Sequence, residues 1–133
     1  MTLRLFYQYV SAELADALPV GWEVASLSTS SASDKLVELV YLDSVYEYQE
    51  LIEFYCKGRL AFVFYKKFDD AVTTQFDAIE TTLLWLRTLN LEDVFLGEGA
   101  TLASVETSVV EGNVPYKVMT ITVPFEFAVR DII

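Results

Sequence analysis

The stretch Lys117-Val118-Met119-Thr120-Ile121-Thr122-Val123-Pro124-Phe125-Glu126-Phe127-Ala128-Val129-Arg130 sets the frame for the whole chain. Met119, Ile121, Val123, Phe125, Phe127 and Val129 alternate with Thr120, Thr122, Pro124, Glu126, Ala128 and Arg130, the period of a strand with one face on a core. Such a strand would extend about 45 Å, long for a domain of this size. Pro124 falls on the polar face and has no N–H to offer a neighbour, so an edge position, a bulge or a bend is expected near it. A strand this long could also cross from its own sheet to the edge of a neighbouring chain's sheet.

Working outward from it, residues 101–110 read as a further strand, bounded by Gly97 and Gly99 on one side and by Glu111-Gly112-Asn113-Val114-Pro115 on the other. Before them, Val72, Phe76, Ile79, Leu83 and Leu86 recur at steps of four and three, one face of a helix that Asp69 and Asp70 can cap and Asn90 can end. Trp85 sits beside that stripe, placed to widen it or touch a neighbour. Arg59-Leu60-Ala61-Phe62-Val63-Phe64-Tyr65 is strand-like, and Lys57-Gly58 before it reads as a hairpin turn. Residues 36–42 and 45–56 then supply preceding strands, although Val45, Tyr48, Ile52 and Tyr55 would also line one face of a helix. Residues 28–34 form a hydroxyl-rich stretch with nothing to bury and read as a loop, and residues 22–27 as a short strand. The N-terminal segment, with Leu3, Phe6, Val10, Leu14 and Leu18 at helical spacing, reads as a helix stopped by Pro19 and Gly21. The order predicts an α+β fold: a single domain over residues 1–133, with a mostly antiparallel sheet and two helices packed on one face.

Composition narrows the function. The chain has 133 residues, 53% of them apolar, with 20 acidic and 9 basic side chains and a net charge of −11. Chains of this size bury roughly two-thirds of the surface exposed on unfolding, enough for a core without disulfides. Histidine is absent, which removes catalytic triads, imidazole metal sites and imidazole switches working at roughly pH 5 to 8. Cys56 is the single cysteine and reads as a reduced, half-buried core residue rather than a reactive thiol. Mean hydropathy is +0.35, yet no uncharged stretch approaches the roughly 20 apolar residues of a membrane span. With no signal peptide evident, a cytoplasmic product is expected.

Motifs for catalysis or cofactors are lacking. There is no GxxxxGK[ST] phosphate loop, no paired-cysteine metal spacing and no GxSxG elbow, and Gly97-Glu98-Gly99 lacks the third glycine of a dinucleotide loop. Glu47, Glu50 and Glu53, or Asp69 with Asp70, are the carboxylates that acid–base or metal chemistry would use. Their simpler reading is the solvent face of a strand for Glu47 and Glu53 and a helix cap for the aspartates. No catalytic residue, metal or cofactor is therefore expected.

Four of the nine cations, Lys57, Arg59, Lys66 and Lys67, stand at the two ends of the Arg59–Tyr65 segment. In so acidic a chain they suggest charge complementarity between copies or with an acidic partner; the alternative is that they keep a sheet edge soluble. Affinity for nucleic acid rests on numerous lysines and arginines, so specific DNA or RNA binding fits poorly.

The first helix ending near Ala17-Leu18-Pro19, the Ser-rich loop between strands, the Lys57-Gly58-Arg59 hairpin, the capped helix of residues 70–89 and the closing Val123-Pro124-Phe125-Glu126-Phe127 strand together resemble the tail terminator and tail-completion proteins of tailed bacteriophages. The resemblance spans nearly the whole chain and rests on size and element order. It implies a virion protein of the tail or neck, assembled in the host cytoplasm, that forms a homo-oligomeric ring, usually a hexamer. Such a ring caps the tail tube, meets the head connector and lets DNA pass without binding it. It also implies an assembly loop at Ser28, Thr29, Ser30, Ser31, Ser33 and Asp34, with Glu47 and Glu53 facing the lumen. A rival expectation is an acidic module that mimics DNA or inhibits a basic host protein; an enzyme is the third.

Overall fold

The computed structural model describes residues 2–25, 35–49, 53–67, 72–88, 94–96, 101–110 and 114–129. Within them the chain order is α1 (Leu3–Ala17), β1 (Glu23–Val24), β2 (Lys35–Gln49), β3 (Glu53–Lys67), α2 (Val72–Thr88), β4 (Val94–Leu96), β5 (Thr101–Val110) and β6 (Val114–Ala128).

Helix α1 forms where its spacing predicts. The Thr2 hydroxyl oxygen accepts from the Leu5 N–H at 3.2 Å, which satisfies one of the donors that a helix start leaves open. At the other end the Leu18 N–H bonds to the Leu14 carbonyl, and the chain then turns through Gly21, whose φ of +95° favours glycine. The turn delivers Trp22 into the core, edge-on to Phe64 with ring centroids 6.0 Å apart. Phe6, Val10 and Leu14 are fully buried, four residues apart along one stripe.

The sheet runs β1-β2-β3-β6-β4, with β5 also paired to β6. All pairs are antiparallel except β1 with β2. Alternation along β3 and β6 puts Leu60, Phe62, Phe64, Met119, Ile121, Val123, Phe125 and Phe127 in the same core as the buried residues of both helices. Phe6 of α1 lies 4.8 Å from Phe125 and 4.9 Å from Phe127, and Trp85 of α2 meets Phe62 edge-on at 6.5 Å. The expected α+β fold with two helices on one face of a mostly antiparallel sheet is the fold observed. On the opposite face Ala61, Val63 and Val118 make a smaller apolar cluster.

Three local expectations need correction. Lys57-Gly58 is not a turn: β3 runs unbroken through it, Lys57 paired with Val45 and Gly58 with Ser44. The glycine is there for close approach. A Cβ at position 58 would collide with the Asp43 backbone carbonyl and stand 2.6 Å from Phe125 Cζ, so Phe125 packs directly on bare backbone. It follows that Glu47 and Glu53 belong to two adjacent strands rather than one.

The buried face of α2 is also turned from the expected stripe. Gln75, Ala78, Ile79, Thr82 and Leu86 are buried, whereas Phe76 is exposed. Polar residues are tolerated inside because each finds a carbonyl: Gln75 Nε2 donates to those of Phe64 and Lys117 at 3.0 and 2.7 Å, and Thr82 Oγ1 to that of Ala78.

Finally, β6 does not cross to a neighbour's sheet but lies inside its own. It pairs with β3 on one side and with both β5 and β4 on the other. β5 stops pairing at Thr122 and β4 starts at Phe125, so Pro124 falls in the interval between them. The missing N–H is accommodated at that handover rather than at an outer edge.

Candidate assembly surface

The β2–β3 hairpin is a ladder from Lys35↔Lys66 to Gln49↔Glu53, interrupted by a register shift between Tyr41 and Asp43. The shift divides it into a covered half, under the helices, and an arm made of residues 43–49 and 53–59, whose β2 strand is exposed while Cys56 of β3 still reaches the core.

In the covered half, Val37 and Leu39 are buried and the outer edge of β2 is closed. β1 pairs at Leu36 and Val37, the Ala25 N–H donates to the Val37 carbonyl at 2.6 Å, and the Tyr7 hydroxyl donates to the Leu39 carbonyl at 2.6 Å. Burial first, and then the neighbouring Glu38 charge, push the Tyr7 phenol above its usual pKa, so it stays a donor.

The arm is different. Tyr41 and Leu42 at its base and Val45 and Tyr46 within it are all exposed, Val45 the most at 57%. The register shift reverses the parity of β2: Tyr41, opposite Leu60, and Tyr46, opposite Cys56, share the helix side, whereas Val45, opposite Lys57, lies on the other, so apolar groups stand on both sides of the strand. Among the described residues, β2 pairs on its outer side with β1 alone. An edge strand with exposed apolar side chains on both faces is what strand addition uses.

Two of the arm's acids, Asp43 and Glu47, are paired within the chain. Arg59 grips Asp43 in bidentate fashion, Nη2 to Oδ2 at 2.6 Å and Nε to Oδ1 at 3.2 Å. Lys57 Nζ lies 2.8 Å from Glu47 Oε2, and Glu126 stands opposite Lys57 across the β3–β6 ladder. The hydrogen bonds that Arg59 donates hold the Asp43 carboxyl below its ordinary range, and the bonds that Lys57 and Arg59 donate to Glu47 and Asp43 hold these two cations above theirs. Exposed pairs of this kind contribute little to stability, but they remove net charge from the arm.

The four cations grouped in the sequence do not converge. Lys57 and Arg59 alternate with the core-facing residues and lie on the face away from the helices, whereas Lys66 belongs to the helix-facing set and is buried. Nine residues of strand, about 30 Å, separate Lys57 from Lys66. Lys67 closes β3 opposite Tyr116. Positions 47 and 53 share the face of Lys57 by register. Ser28, Thr29, Ser30, Ser31, Ser33 and Asp34 lie outside the described residues, as do Glu50, Asp69, Asp70 and the Gly97-Glu98-Gly99 stretch.

Cys56 is fully buried rather than half-buried, and burial pushes its thiol up, away from a nucleophilic thiolate. Among the described residues, no group of three or more metal-ligating side chains converges, and no helix is long and apolar enough to cross a membrane.

Sequence reasoning missed Tyr7, Tyr41, Leu42, Val45 and Tyr46 as surface determinants. A signal for β2 was present: Leu36-Val37-Glu38-Leu39-Val40-Tyr41-Leu42 is apolar at both parities, more than a strand with one buried face requires. No known protein-family model matches the chain, and no curated protein matches it.

Proposed function

We propose that this chain is a non-enzymatic structural subunit that joins copies of itself through the arm of the β2–β3 hairpin. Its setting is a ring of the tail-terminator kind at the neck of a phage particle, capping the tail tube and meeting the head connector. The observation that carries the reading is the arm: an edge strand with Tyr41, Leu42, Val45 and Tyr46 exposed, whose acids Asp43 and Glu47 are already held by Arg59 and Lys57. An edge of that kind is costly to leave bare, because it invites non-specific pairing, and is suited to a partner that covers it.

The overall acidity is consistent with a lumen that DNA traverses without adhering. The same ion pairs weigh against the DNA-mimic reading, which needs rows of uncompensated carboxylates.

Sedimentation of the purified protein, alone and mixed with tail tubes, tests the proposal. A ring-sized species, or monomer that co-sediments with tube ends, is the expected result. A strict monomer that ignores tubes would contradict it.

A further inference from the structure

The two halves of the β2 edge differ at the level of single peptide groups. In an antiparallel strand, alternate residues turn both N–H and C=O to the same side. The Val37 carbonyl accepts from Ala25 on the outer side, so the peptide groups of Leu39 and Tyr41 face outward too. β1 ends at Val24, opposite Val37, and no described strand continues past Leu39. There the phenol of Tyr7, one helix away and 32 residues back in sequence, supplies the bond at 2.6 Å. Tyr7 is itself 37% exposed, in contrast to the fully buried Phe6 and Val10 of the same helix. Its hydroxyl ends on strand backbone, not on another side chain.

We propose that the Tyr7 hydroxyl is an edge guard: it occupies the Leu39 carbonyl that a second copy's strand would need, and so confines pairing between chains to the arm beyond the Tyr41/Asp43 shift. The inference rests on the assembly reading above and adds to it which part of the edge a second copy takes. A second copy fits on charge. Each copy's Asp43 and Glu47 are held by its own Arg59 and Lys57, so when two β2 arms meet these carboxylates do not oppose one another bare. Tyrosine suits the guard because a rigid ring carries its hydroxyl from α1 to a backbone acceptor on β2. A strand entering along residues 37–41 must displace that hydroxyl.

Tyr7→Phe tests this, since it removes the hydroxyl and keeps the ring. Tyr9→Phe, about 200° round the same helix, is the control. Self-association is read by sedimentation equilibrium, and the position of pairing by hydrogen exchange at the Leu39 and Tyr41 amides. The guard predicts self-association about fivefold tighter in Tyr7→Phe, the worth of one hydrogen bond, with the Leu39 and Tyr41 amides newly protected. Tyr9→Phe should match the parent in both respects. If the parent associates and Tyr7→Phe changes neither affinity nor protection, the guard is wrong while the assembly reading stands. If the parent never associates, the assembly reading fails; Tyr7→Phe gaining a dimer would then still support the guard, and Tyr7→Phe remaining monomeric would overturn it.

Discussion

The covered half of the β2–β3 hairpin and its arm belong to the same two strands, yet their side chains are put to opposite uses. In the covered half, Val37, Leu39, Phe62 and Phe64 are buried beneath α1 and α2, and the outer edge is closed by β1 and Tyr7. Beyond the register shift, comparable apolar residues on β2 stand in solvent and the polar residues are tied to one another. Hydrophobicity alone does not decide which residues form the core. Position under a helix decides it: on β2 that cover ends at the Tyr41/Asp43 shift, whereas on β3 it reaches Cys56, whose neighbour Phe127 packs on Phe6.

The comparison is broken most severely from the covered side. Phe6→Ala removes the ring that packs on both Phe125 and Phe127 and should cost about 4 kcal/mol, read as a lower urea midpoint; a cost below about 1 kcal/mol would mean that α1 does not anchor the core. Next comes Gly58→Ala, at the boundary. Its Cβ meets the Asp43 backbone and the Phe125 ring, so a loss of about 2 kcal/mol is expected, and a neutral result would show that the strand can shift to admit it.

On the arm the effects on folding shrink. Val45→Ser should change stability by less than about 0.5 kcal/mol, because the side chain is already exposed; a larger loss would place Val45 in a core after all.

The smallest effect is that of pH. The depressed Asp43 carboxyl contributes above its unfolded-state pKa, near 3.9, and that contribution is lost as pH falls through its lower folded value. Raised Lys57 and Arg59 contribute below their unfolded values and lose that contribution as pH rises through the folded ones. Protection of the arm amides, taken relative to their intrinsic exchange at each pH, should therefore be highest between about pH 4 and pH 10, with the difference fading in high salt. A flat profile at low salt would dissociate the ion pairs from the arm's order.

Much of this fold is legible in local pattern. Phe6, Val10 and Leu14 announce α1, and the alternation of residues 117–129 announces β6, because each buries one face against a single layer. Gly58 misleads because a glycine beside a lysine has the composition of a turn. Yet Cys56, Leu60, Phe62 and Phe64 keep one parity straight through it, and that parity was the better guide. The α2 face misleads for another reason. Gln75 and Thr82 are buried because backbone carbonyls of β3, β6 and α2 itself lie within reach, a tertiary circumstance that hydrophobic spacing does not encode. The arm was the least legible part. Its cations were visible, but their partners Asp43 and Glu47 come into range only once the hairpin register is known, and Tyr7 meets Leu39 32 residues away in sequence.

The central claim, that the arm of β2 is where copies meet, is tested most directly by sedimentation velocity on Leu42→Lys/Val45→Lys. Lysine is a usual means of blocking strand addition at an edge, and both positions are exposed, so folding should survive. The account predicts a protein that melts like its parent and sediments as a monomer under conditions where the parent forms its oligomer or binds tube ends. An oligomer of unchanged size and affinity in the doubly substituted chain would contradict it.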